Sequence, residues 1–252
     1  MNIKAKYLYG LIPLGEKTSF DINGIDSTSK VYSIVYKKIS AVVSDVETKI
    51  FIPTKQNVIT HNTIISDIMK DYSIIPAKFG TVFSSIVDVE IFLEKFYSAA
   101  IEIFNNINNK VEFGLKVFWN EESFAELINT KEVRKLHNKI NATGVKDNSY
   151  LKMQLGMLVK DIVDQNRAYY LKEIHEKITK LCAMDKINEI LDAKMVFNTA
   201  YLVKKEQIEE FSKQIETLIQ QYANLLEFTF SGPWPPYNFT ALKIIFKTNE
   251  TE

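Results

Sequence analysis

A single cysteine, Cys182, is the only thiol in this chain of 252 residues. No intrachain disulfide can form, and a reducing compartment is the expected setting. Glycine (8) and proline (6) are scarce; the glycines never spell a dinucleotide fingerprint or a Walker loop, so a phosphate cradle of those types is excluded. Charge of one sign is also lacking. Lys+Arg and Asp+Glu each total 31, which removes the bulk attraction that nucleic acid or an anionic lipid surface would exert. No apolar run approaches the ~18 residues needed to span a bilayer. The start carries Lys4 and Lys6 before a short apolar stretch, but no small-residue cleavage pattern follows, so it reads as a first strand and not as a secretory signal. The expectation is a soluble, cytoplasmic protein with no membrane and no nucleic-acid partner.

What the chain does have is core material: 46% apolar residues, including 16 Phe, 12 Tyr and 2 Trp. That supports one large or two small domains without a stabilising metal. Lys6–Ile12 reads as a strand and 15–30 as a loop. Val31–Tyr36 and Ile39–Val46 read as a hairpin turning at Lys37-Lys38. Pro53-Thr54 opens a helix whose Val58, His61, Ile65, Ile68 and Tyr72 share one face. After a strand-like Ala77–Phe83, Val89, Phe92, Leu93, Phe96, Ala100, Phe104 and Ile107 form a second helical stripe, and Val111–Trp119 alternates as a strand. The second half predicts a helix through Phe124, Leu127 and Ile128, a linker at Asn141–Ser149 and a long helix from Tyr150 to Cys182. It continues with a strand at Lys194–Val203, a helix at Ile208–Tyr222, and strands at Asn224–Phe230 and Asn238–Phe246 around a Ser-Gly-Pro-Trp-Pro-Pro turn. The element order resembles a split βαβ arrangement, an antiparallel sheet with helices on one face, met once in each half.

Catalytic and metal-binding patterns are absent. There is no Gly-x-Ser-x-Gly elbow, and one Cys with three dispersed His gives no zinc spacing. Cys182 reads as a small core residue at a helix end. His61, on an apolar stripe with no neighbouring acid, reads as a packed histidine bonded to backbone. Two segments are less bland. In Pro76-Ala77-Lys78-Phe79-Gly80-Thr81-Val82-Phe83 a cation, an aromatic and a glycine follow a proline, which suits either a contact loop or a strand entry with a bulge at Gly80. In Ser231-Gly232-Pro233-Trp234-Pro235-Pro236-Tyr237-Asn238-Phe239 three prolines stiffen a backbone carrying aromatics. Trp234, Tyr237 and Phe239 are there either as low-entropy anchors for a partner or as a lid over the protein's own sheet.

These segments, with Tyr7-Leu8-Tyr9-Gly10, His61, Glu112-Phe113-Gly114-Leu115-Lys116-Val117-Phe118 and Asn198-Thr199-Ala200-Tyr201-Leu202-Val203, closely resemble the gas vesicle protein F/L family (GvpF/GvpL) in order along nearly the whole chain. Lys78 departs from the arginine typical there, keeping the charge but losing the planar fork. The resemblance implies an α+β fold of two modified ferredoxin-like domains joined through helices, here divided as 1–120 and 121–252. It implies no catalytic residue and no cofactor. It further implies an accessory protein of gas vesicle assembly that binds the small, hydrophobic shell protein GvpA, limits its aggregation, and associates with the vesicle in the cytoplasm. Lys78, Phe79, Trp234, Tyr237 and Phe239 are the expected partner-binding residues. Two other classes stay open at this point. An enzymatic or small-molecule-binding ferredoxin-like domain would require a polar pocket with perturbed acids. An RNA-binding sheet would require exposed aromatics among basic residues.

Overall fold

The computed structural model describes residues 4–47, 50–142 and 148–240. It is α+β, and the chain divides into two compact units. One takes the described residues of Met1–Glu112 and Pro233–Glu252, the other Phe113–Gly232. The chain passes from one unit to the other inside a strand, and its last described segment returns to the first.

The first unit is built on β1 (Ala5–Ile12), β2 (Ser19–Asn23), β3 (Lys30–Tyr36), β4 (Ile39–Val46), β5 (Ile75–Pro76) and β6 (Val82–Phe83). Their order is β2-β3-β4-β1-β5, with β6 also paired to β1. Every pairing in this sheet whose register is resolved is antiparallel. The expected hairpin forms with Lys37 at φ 52°, the conformation that a tight two-residue turn demands. β2 falls in the stretch expected to be loop. It is a short edge strand whose Phe20 and Ile22 pack against the core while polar residues alternate outward, too brief an apolar pattern to stand out.

Helix α1 (Lys55–Asp71) starts at Thr54, whose hydroxyl accepts the Asn57 amide. Its Ile64, Ile65 and Ile68 join Tyr7, Tyr9, Val31, Val42 and Val46 in one core cluster. Helix α2 (Ile86–Ile107), capped by Ser85, lies on the other side of the same sheet. Its Tyr97 ring meets Tyr36, which points opposite to Val31 along β3. Helices therefore cover both faces, which corrects the expected one-face arrangement. The cause is visible in β1 and β4, which are buried almost without alternation and need apolar cover above and below. On the α2 side the buried ammonium of Lys6 donates to Asp45, directly opposite in register, and the Tyr32 hydroxyl donates to the same oxygen at 2.7 Å.

The second unit holds most of a sheet ordered β10-β7-β9-β8, from β7 (Lys110–Trp119), β8 (Met184–Ile187), β9 (Met195–Lys204) and β10 (Leu226–Trp234). Helices α3 (Glu121–Ile128), α4 (Lys131–Ala142), α5 (Ser149–Tyr170), α6 (Glu176–Ile178) and α7 (Ile208–Tyr222) complete it. The expected long helix is α5 continued through a π-helical turn, Leu171–His175, into α6 and a 3₁₀ turn ending at Leu181. Five residues of the expected linker, 143–147, lie outside the described residues. β8 went unforeseen because its four residues are all exposed and carry no alternation. β10 runs on through Pro233 to Trp234, where a turn was expected, because an outer strand tolerates a missing donor. Of the strand expected at Asn238–Phe246, Asn238 and Phe239 lie in a turn with Tyr237, and 241–246 lie outside the described residues. Among the described residues no helix is long and apolar enough to cross a membrane.

Candidate functional site: an aromatic surface around Tyr7

Tyr7 is wholly buried in the centre of the first sheet, and the two unusual segments are assembled around it. Its hydroxyl donates to His61 Nδ1 at 3.0 Å and accepts the Gly80 amide at 3.0 Å. His61 in turn donates from Nε2 to the Ala77 carbonyl at 3.2 Å. This chain of donors fixes a neutral imidazole with its proton on Nε2. Burial lowers the His61 pKa, against the pull of the Ala77 carbonyl, and burial pushes the Tyr7 phenol up to about 12.

The 77–81 excursion between β5 and β6 is a turn and not a strand. Thr81 bonds back to the Lys78 carbonyl through its amide and its hydroxyl, with Gly80 at φ +79° in the position where a turn of this kind needs a left-handed residue. β1 holds both ends: Ala77 donates to the Tyr9 carbonyl and Leu8 to that of Thr81. β1 also needs a glycine where β5 crosses it, because a Cβ on Gly10 would lie 2.6 Å from the Ile75 carbonyl oxygen. The turn turns Phe79 inward, its ring 5.6 Å from His61 and 6.3 Å from Tyr7, and leaves Lys78 in solvent. Phe51, just before α1, packs edge-on to Tyr7 at 4.9 Å.

The C-terminal segment docks on the same unit. Pro235 and Pro236 are buried, and the turn after them closes through Phe239 N–H to the Pro236 carbonyl at 3.0 Å. Buried Glu112 holds it: one carboxylate oxygen accepts the Asn238 backbone amide at 2.7 Å and the other its side-chain amide at 2.6 Å. Charge-assisted bonds of this kind contribute roughly 1.5–3 kcal/mol each. Tyr237 is 40% exposed, while its hydroxyl donates to Asn62 on α1 at 3.1 Å. That end of the ring is enclosed enough for burial, with Tyr7 and Glu112 adding, to push its pKa up to about 12. Trp234 is 46% exposed and Phe239 half-buried.

Of the five residues singled out from sequence, Phe79 and Tyr237 converge through the neighbours His61 and Asn62, and Lys78 stands beside them on the turn. Trp234 and Phe239 flank Tyr237 on the proline-stiffened segment. Sequence reasoning placed Tyr7, Glu112 and Asn238 in the recognisable blocks without their role as polar supports and did not single out Asn62, because the partners lie 54 to 175 residues apart. The expectation of His61 as a packed histidine bonded to backbone matches its Ala77 bond. Cys182 is part-buried at the end of its 3₁₀ turn, and burial pushes its thiol up to about 11, well away from a reactive thiolate.

Outside this region one polar relay stands out, in the second unit. Tyr201 donates to His175 Nδ1 at 2.8 Å and His175 Nε2 lies 3.2 Å from Asp185. Tyr201 is wholly buried and its phenol is driven far above its ordinary pKa by that burial, so the relay pins β8 to the core and offers no accessible nucleophile. Among the described residues no group of three or more His, Cys, Asp or Glu side chains is arranged to hold a metal ion.

Comparison with known proteins agrees over nearly the whole chain. Gas vesicle protein F of Haloferax mediterranei is 24% identical over 241 residues, covering 94% of each chain. Two solved structures share the fold: the gas vesicle protein GvpF from Anabaena sp. PCC7120, at a TM-score of 0.81 and 19% identity over 95% of this chain and 99% of that one, and GvpF from Microcystis aeruginosa, at 0.82 and 21% over 94% and 99%. The family described as gas vesicle synthesis protein GvpL/GvpF matches residues 5–241. The chain therefore belongs to the GvpL/GvpF family of gas vesicle proteins.

Proposed function

We propose that this protein is a non-enzymatic accessory factor of gas vesicle assembly in the cytoplasm, which binds the hydrophobic shell protein GvpA and limits its aggregation while the shell nucleates. The observation that carries the reading is the placement of Trp234 and Tyr237. Two large aromatics stand in solvent, 46% and 40% exposed, on a segment with two buried prolines and a buried carboxylate clamp. Holding aromatics rigid in the free protein lowers the ordering cost of binding, and such residues supply most of the energy of an apolar interface. Lys78, Phe79 and Phe239 complete the proposed contact surface, which acts by contact with no bond made or broken.

Co-expression with GvpA tests this. The wild-type chain should co-purify with the shell protein and keep it in the soluble fraction. Trp234→Ala and Tyr237→Ala should each lower the recovered shell protein several-fold, with unchanged circular dichroism. Wild-type recovery by both folded variants would remove the surface from the mechanism, and a shell protein that stays insoluble beside the wild-type chain would refute the function.

A further inference from the structure

The exposed face of α1 continues the aromatic surface, and its chemistry is more specific than apolar contact. Ile52 is 70% exposed just ahead of the helix, and Ile59 is 48% exposed within it. Lys55, Ile59 and Asn62 stand three or four residues apart, hence on one side of α1, and Asn62 is the residue that holds the Tyr237 hydroxyl. The turn carrying Lys78 lies alongside. A Cβ on Gly80 would sit 4.0 Å from the Phe51 carbonyl oxygen, and the Phe51 and Phe79 rings both abut Tyr7. The result is an aliphatic and aromatic strip with two cations set into it.

Those cations are uncompensated. Lys55 and Lys78 are exposed, and neither has an ion-pair partner among the described residues. The first turn of α1 contains no acidic residue, so Lys55 adds to the positive end of the helix dipole where a carboxylate is normally favoured. In a chain whose formal charge sums to zero, the strip sets two exposed cations, Lys55 and Lys78, at its surface, while the carboxylate nearest Tyr237, that of Glu112, is buried and bonded to Asn238. A partner that buried it with apolar groups alone would strip water from two ammonium groups and leave them unpaired, which is costly. A partner with carboxylates beside its aliphatic residues would satisfy them.

We propose that this strip receives an acidic amphipathic segment of the partner, with aliphatic side chains against Ile52, Ile59 and Tyr237 and carboxylates meeting Lys55 and Lys78. The identity of the partner as the shell protein rests on the functional reading above; the chemistry of the strip does not.

Two synthetic amphipathic helices make the test independent of that reading. Both carry leucines on one face, flanked by glutamates in one and lysines in the other, and binding is followed by fluorescence anisotropy. The wild-type chain should bind the glutamate helix about tenfold more tightly than the lysine helix at about 50 mM salt, with the gap closing at about 500 mM. Lys55→Glu combined with Lys78→Glu should invert the preference, whereas the double change to Arg should keep it. Ile52→Asp should weaken binding of both. Equal affinity for the two helices, or a preference that survives the double reversal, overturns the proposal. Sedimentation of the wild-type chain as a dimer that Ile52→Asp dissolves would also overturn it, by giving the strip to a second copy. The same variants co-expressed with GvpA separate the two ideas: charge-dependent peptide binding without shell protein recovery retains the strip and rejects the function, and recovery untouched by the double reversal does the opposite.

Discussion

Replacing Tyr7 with phenylalanine isolates the contribution of one oxygen atom. The phenyl ring keeps its contacts with Tyr9, Phe51, His61 and Phe79, whose centroids lie 4.9 to 6.3 Å away. What disappears is the hydroxyl that accepts the Gly80 amide and donates to His61 Nδ1, both at 3.0 Å. His61 is buried and the Gly80 amide part-buried, so water replaces neither bond fully. Each orphaned group costs about 1–3 kcal/mol, and roughly 2–6 kcal/mol is expected for the pair, a large share of the ~5–15 kcal/mol that holds a typical domain. Urea unfolding by circular dichroism should show the midpoint of the first unit's transition shifted down at an unchanged slope. Amide exchange at Gly80 should accelerate alongside. Tyr36→Phe is the control: its ring contacts Tyr97 and its hydroxyl has no hydrogen-bond partner among the described residues, so it should stay within about 0.5 kcal/mol of wild type. If Tyr7→Phe proves as stable as Tyr36→Phe, the polar junction at Tyr7 is not what holds the turn, and the account of the site built on it is wrong.

Two further outcomes follow from the same unit. Burial depresses the His61 pKa, so the folded chain binds fewer protons there than the unfolded chain, whose histidine titrates near ~6.5. The contribution of His61 to stability is therefore complete above about pH 6.5 and is lost as pH falls below it, at up to ~1.4 kcal/mol per pH unit. Urea midpoints across that range should fall less steeply in His61→Gln than in wild type, and parallel profiles would contradict the assignment. Glu112→Gln turns one of the two acceptors facing Asn238 into a donor, at a cost of about 1–3 kcal/mol. Hydrogen exchange at the Asn238 amide should quicken and collisional quenching of Trp234 should rise over the background of buried Trp119; unchanged protection at Asn238 would show that the clamp is dispensable.

Much of the fold was legible because its signals are local. α1, α2 and α7 announce themselves by apolar residues at helical spacing, and β3, β4 and β7 by β-branched or alternating runs. The readings that failed lacked such a signal. β8 is exposed along its whole length, β2 is short and polar, and Ser231-Gly232-Pro233-Trp234 read as a turn when an outer strand accommodates Pro233. The two-sided cover of the first sheet was hinted at by the apolar run of β4, but a run alone does not say which helix lies on which side.

By itself the sequence determined the class of protein: helices and strands in a set order, and short blocks of aromatic, proline and glycine residues that carry the family. Composition and nearest-neighbour spacing suffice for that, since both act within a few residues. Only the tertiary structure decided what those blocks do to one another. Tyr7 reaches His61 and Gly80, and Glu112 reaches Asn238, across separations of 54, 73 and 126 residues. Hydrogen bonds require contact within about 3 Å, and no local pattern encodes which distant donor the folded sheet will bring to a given acceptor.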